Sequence, residues 1–405
     1  MAYGVGLFLS LQFLLSYSYK LSPFNQIFLL TSLHSKILHK STISETSDVN
    51  SVTISRDGQT IVSHSQNNEI KVRNLKTGNL INTIGIPKKY RTVFISPDGQ
   101  TAASMGKNGV QMWNLKTGSL KTPLPYKGKQ GVSALAFSPD GQTLVSNSYD
   151  SVIDPKNTNP NPMFRRKNIS NIEIWNLSTG KLKTAFPSEE GLLNLVAISS
   201  DGKTVVSSRS HPGDDTTRKM TTTMNTTIKI WDVNTGKVKT TLADTRSVYT
   251  LTISPDGQTF VTLSENKTLK IWDLNTGKLK TTLPNPNNND IYQINFSPDG
   301  QTLLTSSEND LKIWNLKTGS LKTTLAHSGF VRSFAISLDG QTLASNSGGT
   351  LLIWDLKTGK YKTAFVDPNN TYISSVAISP DGQTIVSSYW KSNKNRASIK
   401  IWQMP

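Results

Sequence analysis

The sequence predicts an all-β protein, an eight-bladed β-propeller of four-stranded antiparallel blades, and three observations predict it. The dipeptide Asp-Gly recurs at Asp57, Asp98, Asp140, Asp201, Asp256, Asp299, Asp339 and Asp381, usually inside "SPDGQT", at spacings of 41, 42, 61, 55, 43, 40 and 42. Between these marks the apolar residues alternate or form short runs and never follow a helical period. Segments such as "FVTL" and "IKIW" are apolar on both faces of a strand, so a single unit cannot stand in water, and stacking the units into a ring buries both faces.

Within a unit the elements follow in a fixed order. Residues 247 to 283 read as "SVYTLTIS", "PDG", "QTFVTLS", "ENKT", "LKIWDL", "NTG" and "KLKTTL", four strands a, b, c and d separated by turn chemistry. In Pro-Asp-Gly the proline presets one φ, the aspartate accepts local backbone hydrogen bonds, and the glycine takes the positive φ. Asp98 with Gly99, Asp140 with Gly141, Asp256 with Gly257 and Asp299 with Gly300 are the clearest cases. The same logic makes Gly78 and Gly118 the left-handed residues of the "NLKTG" turns.

"FSPDGQTLVS" (137 to 146) followed by "IEIWNLSTGKL" (172 to 182) resembles the WD40 repeat family in its bacterial form, over residues 38 to 405. The resemblance assigns the structural tryptophan of strand c to Trp113, Trp175, Trp231, Trp272, Trp314, Trp354 and Trp402, with Arg73 in its place in blade 1. The family's Gly-His and its b–c aspartate are nearly absent. Only His327 stands in a d–a loop, and the aspartate position reads Asn67, Lys107, Asn266, Glu308 or Gly348. The expectation is therefore that apolar packing and backbone ladders, rather than the family's polar network, hold the blades.

The chain ends at "IKIWQMP" with no strand d to follow. "KSTISET" (Lys40 to Thr46) aligns without gaps with "KTTLADT" (Lys239 to Thr245), so residues 38 to 44 are expected to close the ring as the fourth strand of blade 8. A seven-bladed ring with a displaced unit is the alternative. Residues 36–405 form the propeller on this reading, and residues 1–35 lie outside the repeats.

The net charge of +17 suggests an acidic partner, but position tempers that. Fifteen of the 44 cations fall in c–d turns or d strands, where lysine guards an exposed edge. Pro123 fits the same edge position.

Three insertions, 149–171, 209–227 and 389–398, all fall between strands b and c and so decorate the face shared with the d–a loops. They carry Arg165, Arg166, Lys167, Arg218, Lys219, Lys391, Lys394 and Arg396, and a d–a loop adds Lys88, Lys89 and Arg91. Tyr149 and Trp390 align at one point of blades 3 and 8, and an aromatic among cations suits a partner-binding hot spot. The competing reading is that both rings cap their own blades and the loops are idle.

Residues 1–19 contain no charged side chain, but Ser10, Gln12, Ser16 and Ser18 dilute them, and neither a basic n-region nor a small-residue cleavage site is present. An extension that packs nowhere on a cytoplasmic protein is the favoured reading. A membrane anchor, with membrane contact only if residues 1–30 insert, or export are the alternatives. The absence of cysteine excludes a disulfide framework.

The five histidines are scattered without metal-ligand spacing, and there is no phosphate loop or nucleophile elbow, so neither a catalytic residue nor a metal or other cofactor is expected. The expected function is a non-catalytic scaffold or adaptor that binds a protein or peptide through the b–c and d–a loop face. A polyanion binder, nucleic acid included, using the basic loops is the rival. A propeller enzyme of quinoprotein or lyase type ranks third, with His211, Asp214 and Asp215 as its nearest polar constellation.

Overall fold

A computed structural model describes residues 38–405 except 89, 107–108, 122–123, 125–130, 156–157, 159–165, 212–224, 245–246, 286–288, 367–371, 391–396 and 405. The expectations for residues 1–35 fall outside the described residues. The architecture is all-β, with no helix among the described residues, and consists of eight antiparallel blades in a ring. Blade 5 is typical: strands Val248–Ile253, Thr259–Ser264, Leu269–Asp273 and Leu279–Leu283 pair in chain order. Strand a lies at the channel and strand d at the rim. The a–b and c–d turns therefore share one face, and the b–c and d–a loops share the other.

Closure uses the N-terminal strand. Leu38–Glu45 pairs antiparallel with Ala397–Gln403, from Leu38 opposite Gln403 to Glu45 opposite Ala397. The pairing skips a residue between His39 and Ser41, and blade 5 skips in the same way between Leu279 and Thr281 where they oppose Trp272 and Ile271. The closure strand thus copies the bulge of an ordinary strand d, which bends the outer strand and raises its local twist.

The core consists of eight apolar clusters, one at each junction between neighbouring blades. Val49, Val52, Ile54 and Ile61 of blade 1 meet Val386, Ile399 and Ile401 of blade 8, and the remaining seven clusters join blades 1 to 8 in order. This overturns the seven-blade alternative, because the last unit seals against the first. Each fully buried Val, Leu or Ile side chain contributes on the order of 1.5–3 kcal/mol of transfer free energy, so the clusters are the main source of cohesion.

Polar bonds add to them and correct the expectation that the family's network is lost. Trp175, Trp231, Trp272, Trp314, Trp354 and Trp402 each donate Nε1–H to a hydroxyl on strand b, at 2.8–3.0 Å. The acceptors are Ser146, Ser207, Thr262, Thr305, Ser345 and Ser387. The loss of the loop histidine and aspartate leaves this half intact because the tryptophan and hydroxyl lie on adjacent strands of one blade and need no loop residue. Side-chain bonds also stitch neighbouring a strands: Gln293 gives Nε2–H to Phe334 O and receives the Phe334 amide, at 3.1 and 2.9 Å.

The a–b turns follow the predicted chemistry. Asp98, Asp140, Asp256 and Asp299 each accept the hydroxyl of the serine two residues before and the amide two residues after. Gly99, Gly141, Gly257 and Gly300 lie at φ +67° to +71°.

Candidate interaction face

The face formed by the b–c and d–a loops is built on the ends of strands a and b. The first insertion is in large part an extension of the b–c hairpin. Thr143–Ile153 and Arg166–Asn176 pair continuously to Ile153 opposite Arg166, and Glu189–Glu190 adds a short strand against Ile169 and Ser170. The second insertion extends its hairpin to His211 opposite Asn225, and the third stands between Trp390 and Ala397.

The residues singled out from the sequence sit as follows. Tyr149 is half-buried in its hairpin, with its amide bonded to Gly131 O at 3.2 Å. Lys167 is ion-paired with Glu190 at 2.9 Å, and the Glu190 hydrogen bond and charge hold its ammonium above the ordinary lysine range. Lys88 is exposed in the loop after blade 1. Arg91 lies in strand Tyr90–Ile95 and Arg166 opens its strand opposite Ile153. Lys89, Arg165, Arg218, Lys219, Lys391, Lys394 and Arg396 lie outside the described residues, as do Asp214 and Asp215.

Trp390 ends strand b of blade 8 directly opposite Tyr372, and the two rings stack with centroids 5.3 Å apart and planes at 28°. Tyr372 is half exposed. Tyr389, the preceding residue of the same strand, is fully buried, with the Lys400 ammonium 4.7 Å from its ring centre.

A second aromatic group escaped the sequence reading. Tyr292 and Phe330, from the loops before blades 6 and 7, meet edge to face at 5.9 Å, and the Arg332 guanidinium lies 5.7 Å from the Phe330 ring centre. Both rings are exposed, at 43% and 47%. Desolvation and the nearby carboxylates of Glu308 and Asp290 hold the Tyr292 phenol above its ordinary value. The Gln293–Phe334 clamp lies immediately below and fixes the spacing of the two loops. The signal was available: Tyr249, Tyr292 and Arg332 each follow the first apolar residue of strand a in "VYTL", "IYQI" and "VRSF", and alternation points that position away from the core.

Blade 4 carries a buried cation in the same region. Arg209 donates from Nη1 to Ser170 Oγ at 2.8 Å and to Glu189 O at 2.6 Å, while the Glu189 carboxylate holds Lys229. A depression of about 470 Å³ lies over this group. Its charges are paired with one another.

Among the described residues no group of three His, Asp or Glu side chains is placed to hold a metal ion. None of the described elements is a helix long and apolar enough to cross a membrane.

Comparison with known families fits this geometry. The profile of the NWD2 C-terminal β-propeller matches residues 285–405, and the WD domain, G-beta repeat profile matches residues 119–153 and 236–273. These matches support a WD40 β-propeller protein. Two solved structures share its architecture. The C-terminal WD40 domain of Sif2 superposes with a TM-score of 0.64 at 16% identity, covering 91% of this chain and 98% of that one. The computationally designed Ika8 protein gives 0.63 at 20% identity, covering 89% and 98%. No curated protein sequence matches the chain. WD40 propellers generally serve as protein-interaction scaffolds.

Proposed function

We propose that this WD40 propeller is a non-catalytic scaffold that binds a protein or peptide on its b–c and d–a loop face, centred on blades 6 to 8. The observation that carries the reading is two aromatic pairs on this face, Tyr292 with Phe330 in the loops before blades 6 and 7 and Tyr372 with Trp390 at strand ends, of which Tyr292, Phe330 and Tyr372 are exposed. Exposed aromatics held in fixed rotamers lose little entropy on binding and bury large areas, which is why they dominate hot spots. Arg332 beside Phe330 supplies a cation for a carboxylate or carbonyl of the partner. The basic insertions add charge around this centre, where it serves encounter and register more than affinity.

The experiment is capture from a cell lysate by the full chain, by a Tyr292→Ala/Phe330→Ala variant, by a Tyr372→Ala/Trp390→Ala variant and by a chain with the three insertions shortened, each washed at low and high salt. A protein held at high salt by the full chain and lost by both aromatic variants supports the reading. Retention by every variant overturns it. Recovery of nucleic acid alone, and only at low salt, favours a polyanion ligand instead.

A further inference from the structure

The lysines of the opposite face fall into two groups once their surroundings are known. On five d strands a lysine sits at the bulge and has a partner. Lys239, Lys280 and Lys362 approach Asp232, Asp273 and Asp355 at 3.7, 3.3 and 3.8 Å, and Lys121 and Lys322 donate to the hydroxyls of Thr101 and Thr302. The lysines of the c–d turns are not tied. One stands in each of seven successive turns, from Lys76 in blade 1 to Lys357 in blade 7, exposed and without an ion pair among the described residues. Protection of an exposed strand edge accounts for the first group. It does not account for the second, which lies in turns with no unpaired ladder to guard.

Beside these free lysines stands a row of exposed apolar residues. The first residue of strand d, which opposes the strand c tryptophan or Arg73, is Leu80, Leu120, Val238, Leu279 and Leu321 in blades 1, 2, 4, 5 and 6, at 51%, 50%, 38%, 48% and 45% exposure. Leu338 at 52% adds one more in the a–b turn of blade 7, where five other blades have proline. Single exposed leucines need no explanation, but a Leu or Val exposed at the same rim position of five blades is a patterned surface. Apolar side chains that enter the acyl boundary, alternating with ammonium groups that meet phosphates, are the composition of an interfacial lipid contact. Chain connectivity points the same way. The closure strand begins at Leu38 opposite Gln403, on this face, and the uncharged stretch 1–19 precedes it.

We propose that this rim is a peripheral membrane-binding surface for anionic lipid, opposite the partner-binding face, with an apolar residue and a free lysine from successive blades meeting the bilayer together. The aspartates of the a–b turns lie on the same face nearer the axis and oppose approach. Each is engaged by its own serine and turn amide, as at Asp299 and Asp381. The lipid contact uses the lysines and the leucines together, a nucleic acid surface would use only the lysines, and insertion of residues 1–19 would use neither.

The test is vesicle co-sedimentation of the full chain with phosphatidylcholine vesicles and with vesicles containing phosphatidylserine, beside duplex DNA binding. One variant carries Lys116→Glu, Lys278→Glu, Lys317→Glu and Lys357→Glu; a second carries Leu120→Ser, Leu279→Ser and Leu321→Ser. All seven positions are exposed, and an unchanged melting temperature verifies folding. The expected result is binding to the anionic vesicles only, at least tenfold weaker in the lysine variant and at least threefold weaker in the leucine variant. Equal binding by all three proteins overturns the proposal and assigns the membrane contact to residues 1–37. Loss confined to the lysine variant, with tight DNA binding by the leucine variant, overturns it in favour of a nucleic acid surface. No binding to either vesicle overturns it outright.

Discussion

Glu45 Oε1 accepts a 2.9 Å hydrogen bond from Nη2 of Arg73 across the seam at which the ring closes. The other carboxylate oxygen holds Lys71 Nζ at 2.5 Å, and the Glu45 side chain is fully buried. Arg73 occupies the position that carries tryptophan in every other blade, so an indole has been replaced by a cation whose partner comes from the closure strand. Removing one member of a buried pair strands the other charge. Glu45→Ala is expected to destabilise the fold by about 3–5 kcal/mol, read by urea denaturation. Arg73→Trp in that background, which restores the residue of the other blades and removes one stranded charge, is expected to recover part of the loss. A cost below about 1 kcal/mol for Glu45→Ala, the level of an exposed pair, would mean that the seam does not rely on this contact.

The seam shows what the sequence made legible and what it did not. Repeat spacing, turn chemistry and the match of residues 40–46 to a strand d located the blades and the closing strand, because these depend on local pattern. The partner of Arg73 is a contact between residues 28 apart on different blades, and no local pattern encodes it. The Trp–Ser/Thr bonds were missed for another reason: the absent His and Asp suggested that the network was gone, whereas its two inner members are one ladder step apart. On the loop face, Trp390 stood out as an aromatic outside the repeat, while the Tyr292–Phe330 pair did not: alternation marks the outward position of Tyr292, but only the ring geometry brings Phe330 against it.

His327 stands in the d–a loop before blade 7, and its protonation is set by its partners. Nδ1–H donates to Leu325 O at 2.8 Å, so Nε2 accepts from the Ser345 hydroxyl at 2.8 Å, and that hydroxyl accepts from Trp354 Nε1 at 2.9 Å. Burial lowers its pKa from 6.5 to about 4, against the opposing effects of Leu325 O and Asp310. The unfolded chain therefore binds the proton first, and the stability contributed by the neutral ring is full above about pH 6.5 and lost as pH falls to about 4. The loss is at most about 3 kcal/mol. The turn aspartates, whose pKa values are lowered below 3.8, lose their contribution only at more acid pH, as at Asp299 and Asp381. Denaturation between pH 7 and 4.5 should show a steeper decline for the parent than for His327→Gln. Parallel curves would show that the histidine is not held neutral.

Trp231 provides a clean measure of the surviving half of the network. Its Nε1 donates to Ser207 Oγ at 2.8 Å, both residues are buried, and its ring stacks on Phe186 at 4.9 Å. Ser207→Ala leaves the indole N–H without a partner and is expected to cost about 1–3 kcal/mol. Trp231→Phe, in which the donor is absent and a cavity remains, should cost at least as much. The double variant should cost less than the sum, because the bond is lost only once. Additive costs would show that the hydrogen bond contributes nothing beyond packing.

The Asp-Gly turns separate two demands on glycine that the sequence joins. Gly99, Gly141 and Gly257 all have φ near +70°, which a side chain resists by about 1 kcal/mol. A Cβ at Gly257 meets nothing within 4 Å, whereas at Gly141 it would fall 2.7 Å from the Asp98 carboxylate carbon, and at Gly99 2.8 Å from the backbone Cα of Ser55. Gly99 and Gly141 sit against the turn of the preceding blade, so neighbouring turns overlap like shingles, and a methyl group there must push one blade from the next. Gly257→Ala is expected to cost about 1 kcal/mol, with Gly141→Ala costlier and Gly99→Ala costliest because backbone cannot step aside as a carboxylate can. Thermal melts of the three variants give the ranking directly. Equal costs would mean that conformational strain alone fixes glycine in these turns and that the close approach between blades relaxes without penalty.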